Sequence, residues 1–336
     1  MVRPGPNFSV QDVHNGYVDA FTQLGVHVEE FQLDDRLTFF SQAMLERDGE
    51  MRRAFDHEAA VRMAASGLKE VLYAFWPQVV VVTSGFFIPP DFYPLFRDRG
   101  HKLVALFTES PYEDDRQLER AGFFDLVLVN DPTNLEAFRA VNPNSHYLPH
   151  SYNPLVHRPG PALPNLTCDV SFVGTGYPSR AEFFRAVDWE GLTVHLGGHW
   201  AAWKDEPWFA DRMVHPIDWC MENSEAVDLY RSSTASLNLY RKEASADATA
   251  DGWACGPREI ELAACGTFFL REPRGESDEL FPMLPTITDP AEVRPLLDWW
   301  LANDTARLRA ADDARRAIAD RTFVNHAKGI LSRLAV

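Results

Sequence analysis

The sequence predicts an α/β protein made of two facing, Rossmann-like, doubly wound domains, on three observations. Apolar, largely β-branched runs recur at residues 79–84, 103–107 and 126–129, the pattern of strands buried on both faces of a parallel sheet. Helix-like stretches separate these runs, which is strand–helix–strand grammar and not that of hairpins. The alternation then restarts after a proline-rich stretch, and 336 residues exceed the size at which a single core usually stops growing.

Element by element, Ser9 is placed to cap a helix running to about Leu24 and closed by Gly25. Residues 26–31 read as a short strand. A strand normally opens such a domain, yet residues 1–8 offer almost none, so it is either vestigial or upstream. A long helix is expected over residues 56–75, ended by Pro77. Residues 146–148 give a weaker strand signal. Pro149, Pro154, Pro159, Pro161 and Pro164 mark an extended connection. Beyond it, strands are expected at 169–173, 192–196, 235–239 and 267–270, then a helix over 304–320 and a last one after Thr322. The expected domains are 1–155 and 165–310, with helices in 311–336 returning to the first. Ligands of open α/β sheets bind beyond the strand carboxyl ends, which directs attention to the loops after Val173, Leu196 and Leu239.

Composition narrows the function. The chain is 46% hydrophobic and 24% charged, as soluble globular proteins are, and its net charge of -17 opposes nonspecific attraction to nucleic acid. The start breaks at once into Pro and Gly, so no signal peptide is expected, and the longest apolar run is far too short to span a bilayer. Cys168, Cys220, Cys255 and Cys265 form no C-x-x-C pair, which fits reduced, mostly buried thiols in a cytoplasmic protein.

The most informative segment is Gly256-Pro257-Arg258-Glu259-Ile260-Glu261-Leu262-Ala263-Ala264-Cys265-Gly266. Pro257 suits a first helical position and Gly266 a left-handed stop. Ile260, Ala263 and Ala264 share a face that should pack on a sheet. Arg258 and Glu261, three apart, should look away from it toward one opening, a groove between the domains. The helix start offers N–H groups and a positive dipole end to a phosphate, and Glu261 could accept hydrogen bonds from a ribose diol. The plainer alternative is a surface helix with an intrahelical Arg–Glu pair.

The second half resembles the spore-maturation CgeB-like glycosyltransferases of the broad group-1 family, whose two-domain fold is called GT-B. The matching pieces are Ser171-Phe172-Val173-Gly174-Thr175-Gly176-Tyr177-Pro178-Ser179-Arg180, Tyr230-Arg231-Ser232-Ser233 leading into Leu237-Asn238-Leu239-Tyr240-Arg241, the segment 257–266, Asp278-Glu279-Leu280-Phe281, and the tail from Thr322-Phe323 to Ile330-Leu331. The first half matches more loosely, through residues 7–25, Glu109-Ser110-Pro111 and 148–159. The resemblance implies transfer of a sugar from a nucleotide-diphosphate donor to a hydroxyl acceptor. It implies Glu261 as the ribose carboxylate, Gly174 and Thr175 along the diphosphate, and Arg180 or Arg258 as countercharge. Gly198, Asn238 and Tyr240, at neighbouring strand ends, complete the expected donor-binding set. No cofactor beyond the nucleotide sugar is implied. Two departures stand out: Trp253 replaces a second Glu that many relatives carry, and Arg321 stands where a His is common.

Gly174-Thr175-Gly176 lacks the third Gly of a dinucleotide fingerprint, since Ser179 sits there. There is no D-x-D triplet; the nearest acidic cluster, Glu113-Asp114-Asp115, reads as a solvated helix start. His195 and His199 flank Gly197-Gly198 without the further ligands a zinc site needs. Trp200, Trp203, Trp208 and Trp219 read mostly as packing, with one free to stack on a base or sugar. Glu109, ending a buried strand, is the expected base for the acceptor hydroxyl, with His14 and Asp12 as rivals. A catalytically inactive nucleotide- or glycan-binding protein and a sugar transferase acting on a hydroxylated DNA base are the alternatives. The acceptor, whether protein, glycan or small molecule, has no readable code here.

Overall fold

The computed structural model describes residues 1–5, 8–243 and 252–334. Asn7, where the looser resemblance begins, lies outside them. The chain divides into two compact units, one of Met1–Pro149 with Phe323–Val336 and one of His150–Thr322.

Unit 1 runs α1 (Phe8–Gln23), α2 (Leu33–Gln42), β1 (Met44–Arg47), β2 (Glu50–Arg53), α3 (His57–Ser66), α4 (Leu68–Phe75), β3 (Val79–Thr83), α5 (Tyr93–Arg97), β4 (Lys102–Phe107), α6 (Asp114–Ala121), β5 (Leu126–Val129), α7 (Leu135–Val141) and β6 (Ser145–Tyr147). Strands β3, β4, β5 and β6 form a parallel sheet in that order. Its residues alternate between two buried layers: Val80, Val82, Leu103, Ala105 and Phe107 enter one core, and Val81, Val104, Leu106, Leu126 and Leu128 the other. Burial on both faces is why these strands read as unbroken apolar runs.

The opening strand is reduced to a single bridging residue. Val2 pairs in parallel with both Val82 and Phe31, donating to the Val81 carbonyl at 2.8 Å. The strand expected over 26–31 is therefore only that bridge at Phe31. The helix expected over 56–75 is two, α3 and α4, parted at Gly67. Asp56 caps α3 by accepting from the Ala59 amide at 2.8 Å. Helix α1 already includes Ser9, so the cap expected there is not at that residue. The exposed hairpin β1–β2 had no sequence signal.

Unit 2 contains β7 (Cys168–Val173), α8 (Pro178–Ala186), β8 (Val194–Gly197), α9 (Pro207–Ala210), α10 (Asn223–Ser232), β9 (Ser233–Asn238), α11 (Pro257–Cys265), β10 (Phe269–Arg271), α12 (Gly275–Leu280), α13 (Val293–Ala302) and α14 (Asp304–Ala317). Its parallel sheet has the order β10-β9-β7-β8. The chain leaves β7 for β8 on one side and returns as β9 on the other, so the topological switch point lies at the carboxyl ends of β7 and β9. Helix α11 packs through Ile260, Leu262, Ala263 and Ala264, all buried, and stops at Gly266 with φ +73°.

The proline-rich segment belongs to unit 2. Arg231 of α10 donates to the carbonyls of Val156 and Arg158, at 3.0 and 2.8 Å. Residues 311–322 also stay with unit 2, and only α15 (Phe323–Leu334) returns to unit 1. There it lies on α1, with the Tyr17 and Phe323 rings edge-on at 5.0 Å. A Cβ on Gly16 would come within 2.3 Å of the Phe323 ring, so the absent side chain sets how close the helices approach. Cys168, Cys255 and Cys265 are buried and Cys220 is exposed, all as free thiols. Among the described residues, no helix is long and apolar enough to cross a membrane.

Candidate functional site

The switch point of unit 2 collects most of the expected donor-binding residues. Arg180, in the first turn of α8, spans it by donating from Nη1 to the Thr175 carbonyl at 2.9 Å and from Nη2 to the Leu239 carbonyl at 2.7 Å. It thereby ties the loop after β7 to the loop after β9. Arg258 reaches the same edge from α11, with Nη1 on the Val173 carbonyl and Nε on the Tyr230 hydroxyl at 3.1 Å. Among the described residues, neither arginine forms an ion pair, and both bond neutral oxygens. Burial, and then the Arg258 charge beside it, push the Arg180 guanidinium down to about 10. Two cations crowd a sheet edge where the bonded acceptors are neutral oxygens, which leaves positive charge for an anion to neutralise. Asn238, at the end of β9, is 4% exposed, and among the described residues neither its Nδ2 nor Arg180 Nε has a hydrogen-bond partner.

Glycine makes the edge narrow. Gly198 has φ +97°, and a Cβ there would sit 2.5 Å from the Gly174 carbonyl oxygen and 2.7 Å from its carbon. The Gly174 amide donates to Gly197 at 3.0 Å, and the Gly198 amide donates to His215 Nε2 at 2.8 Å. His215, a residue sequence reading missed, is held below its ordinary range by burial and accepts through a neutral ring.

The first turn of α11 differs from expectation. The two amides just ahead of it are answered by carboxylates: Gly256 donates to Glu259 Oε2 at 2.9 Å and Cys255 to Glu276 Oε2 at 2.9 Å. Glu259 is fully buried and also accepts from Ser277 and from the Tyr240 hydroxyl. Burial raises the Glu259 carboxyl despite these bonds. Tyr240 is thus committed through its hydroxyl to Glu259, and its amide donates to Glu272 at 2.6 Å. Arg258 turns to the β7 end, whereas half-buried Glu261 accepts from Asn223 Nδ2 on α10 at 3.3 Å. No ion pair joins them, so the plain intrahelical pair is not formed either.

The departures noted in sequence find local partners. Arg321 pairs with buried Glu276 at 2.6 Å, and the Trp253 indole covers Gly275, where a Cβ would lie 2.3 Å away. Trp200 is fully buried, Trp203 donates to the Gly176 carbonyl at 2.6 Å, and Trp219 is exposed. His195 bonds the Leu166 carbonyl, and among the described residues no group of three or more His, Cys, Asp and Glu is placed to hold a metal.

Unit 1 presents a separate polar cluster at its own sheet edge. Glu109, just beyond β4, accepts from Ser84 at 2.5 Å, Thr108 at 3.1 Å and Gln117 at 2.7 Å. Burial holds it above the ordinary carboxylate range in spite of these donors. Asp114 is buried and bonded to Ser110 and Asn134, not solvated as its acidic neighbours suggested. The rival His14 is fully buried between Thr83 at 3.1 Å and Glu30 at 3.0 Å, with both ring nitrogens engaged.

Residues 180–332, beginning at the arginine that bridges the switch point, match the family model described as Glycosyl transferase-like. This stretch is similar to that family over just under half of the chain. It occupies most of unit 2 and ends in α15. Solved structures of similar fold include the sucrose-phosphate synthase of Thermosynechococcus elongatus, at 13% identity and TM-score 0.64 over 97% of this chain and 93% of that one. Anabaena Alr3699/HepE in complex with UDP matches at 12% identity and TM-score 0.58, over 80% and 81% of the two chains. A putative UDP-N-acetylglucosamine 2-epimerase from Listeria monocytogenes matches at 13% and 0.59, over 99% and 94%. At these identities the likeness is one of fold, and the fold is GT-B, with two Rossmann-like domains. No curated protein matches the chain in sequence.

Proposed function

We propose that the protein is a CgeB-like glycosyltransferase that moves a sugar from a nucleotide-diphosphate donor to a hydroxyl acceptor. The observation that carries this reading is the couple Arg180 and Arg258 at the switch point of the transferase-like stretch, two cations whose bonded acceptors among the described residues are neutral oxygens. A departing diphosphate develops negative charge, and preorganised cations and N–H groups at that place stabilise it without reorganising. In this reading Gly174, Thr175 and Gly198 let backbone approach the phosphates, and Asn238 supplies its unpartnered amide. Tyr240 contributes ring surface more than its committed hydroxyl. Glu261, steadied by Asn223, accepts from the ribose diol. The arginines fill the role that a D-x-D-bound metal fills in other transferases, and no further cofactor is invoked. Glu109 takes the acceptor's proton. The acceptor is a protein, glycan or small-molecule hydroxyl in the cytoplasm, since the net charge of -17 disfavours nucleic acid.

The HepE structures hold UDP and UDP-glucose, which makes uridine nucleotides the first probes. Charge-assisted hydrogen bonds contribute about 1.5–3 kcal/mol, so Arg258→Ala and Glu261→Ala should each raise the donor KM by roughly 10- to 100-fold with unchanged melting. Wild-type kinetics in both variants would remove the site assignment. Tight nucleotide-sugar binding with neither transfer nor slow hydrolysis would leave a binding protein of the same fold.

A further inference from the structure

Glu243 reaches back from the loop after β9 to the start of α8. Its Oε1 accepts from the Ser179 amide at 2.8 Å and its Oε2 from the Ser179 hydroxyl at 3.1 Å. Pro178 has no N–H, so Ser179 is the first residue of this helix able to donate one. Burial raises the Glu243 carboxyl, but the Ser179 amide and hydroxyl outweigh it and hold the group below its ordinary range, so it is anionic at neutral pH. The next residue, Arg180, is the half-buried cation at the switch point, and among the described residues its Nε and the Nδ2 of buried Asn238, at the end of the adjoining strand, have no hydrogen-bond partner.

A carboxylate and one edge of a phosphate make the same demand: an anionic, two-oxygen acceptor facing N–H donors and a helix dipole. Both cannot hold the Ser179 amide together. An ordinary cap is local in sequence, whereas Glu243 lies 64 residues from Ser179, on the same loop whose Leu239 carbonyl holds Arg180. We propose that Glu243 is an internal competitor that occupies the anion position at the start of α8 and must be displaced by the donor's phosphates. This rests on the donor-site reading above and adds a built-in threshold to it: only ligands with enough phosphate charge dislodge the carboxylate.

The test is calorimetric titration of wild type and Glu243→Gln, on the full chain, with UDP and with uridine. Glutamine keeps the length and an acceptor but loses the charge. Charged hydrogen bonds are roughly twice as strong as neutral ones, so UDP should bind about tenfold tighter to the variant, and uridine equally to both. Equal UDP affinity in the two proteins overturns the competitor role while leaving the donor site in place. A gain for uridine as large as for UDP also overturns it, since the competition is for phosphate. Absence of UDP binding to either protein, with both folded by thermal melting, sinks the donor-site reading and the competitor with it.

Discussion

Replacing Gly198 by alanine tests whether the narrow edge of unit 2 is required. The added methyl would meet three Gly174 backbone atoms at 2.5, 2.7 and 3.0 Å, none of which can rotate away as a side chain could. The residue also keeps φ +97°, outside the region alanine favours. Left-handed strain costs about 1–2 kcal/mol and overpacking about 1–3 kcal/mol, for a total of about 3 kcal/mol. For a unit of this size each kcal/mol lowers the melting temperature by roughly 2–4 °C, so a fall of about 9 °C is expected. Gly191→Ala is the matched control: φ is +74° and a Cβ there meets nothing within 4 Å. It should lose only the strain, about 1 kcal/mol and about 3 °C. Scanning calorimetry separates the two variants, and UDP titration should show weaker binding only in Gly198→Ala, because the loop backbone at Gly174 is displaced. Melting of the two variants within about 2 °C of each other would refute the close-approach argument.

Two pH dependences follow from unit 1. Burial holds Glu109 above the ordinary carboxylate range, so kcat/KM should fall as pH drops through that raised range and the base takes up a proton. Glu109→Gln should abolish that acid limb and cut turnover by roughly 10²–10⁴-fold; an unchanged pH–rate profile in the variant would dismiss Glu109 as the base. His14 is pushed down from 6.5 to about 4, first by burial, with Glu30 opposing. Between those values the unfolded chain binds the proton and the folded chain does not, so stability drains as pH falls through that window. Urea unfolding from pH 7.5 to 4 should therefore show a steeper acid loss for wild type than for His14→Gln. Parallel curves would mean that His14 does not titrate in this way.

The legible parts of the site were those written in local pattern. Pro257 and Gly266 marked both ends of α11 and Arg258 stood at its start, whereas Arg180 came only through the family resemblance. Glu259 was passed over because helical spacing places it apart from Glu261, and nothing local shows that it is buried against Ser277 and Tyr240. The same gap hides the partner of the Cys255 amide just ahead of α11, since Glu276 lies 21 residues away in the chain. His215 and Glu243 stood in stretches without periodicity, and their partners lie 17 and 64 residues away. The strand expected over 26–31 failed for a related reason: alternation marks half-buried backbone, but only pairing with Val2 decides how much of it bonds.

By itself, the order of residues determined the alternation of buried parallel strands and covering helices, because strands enclosed on both faces must be continuously apolar. It also determined the point where the pattern restarts. Tertiary structure alone decided that Arg180 binds Leu239, 59 residues away, and that Arg258 binds Val173, 85 residues away. Those distances are closed by the parallel pairing of β7 with β9, a long-range choice of neighbours that no local periodicity encodes.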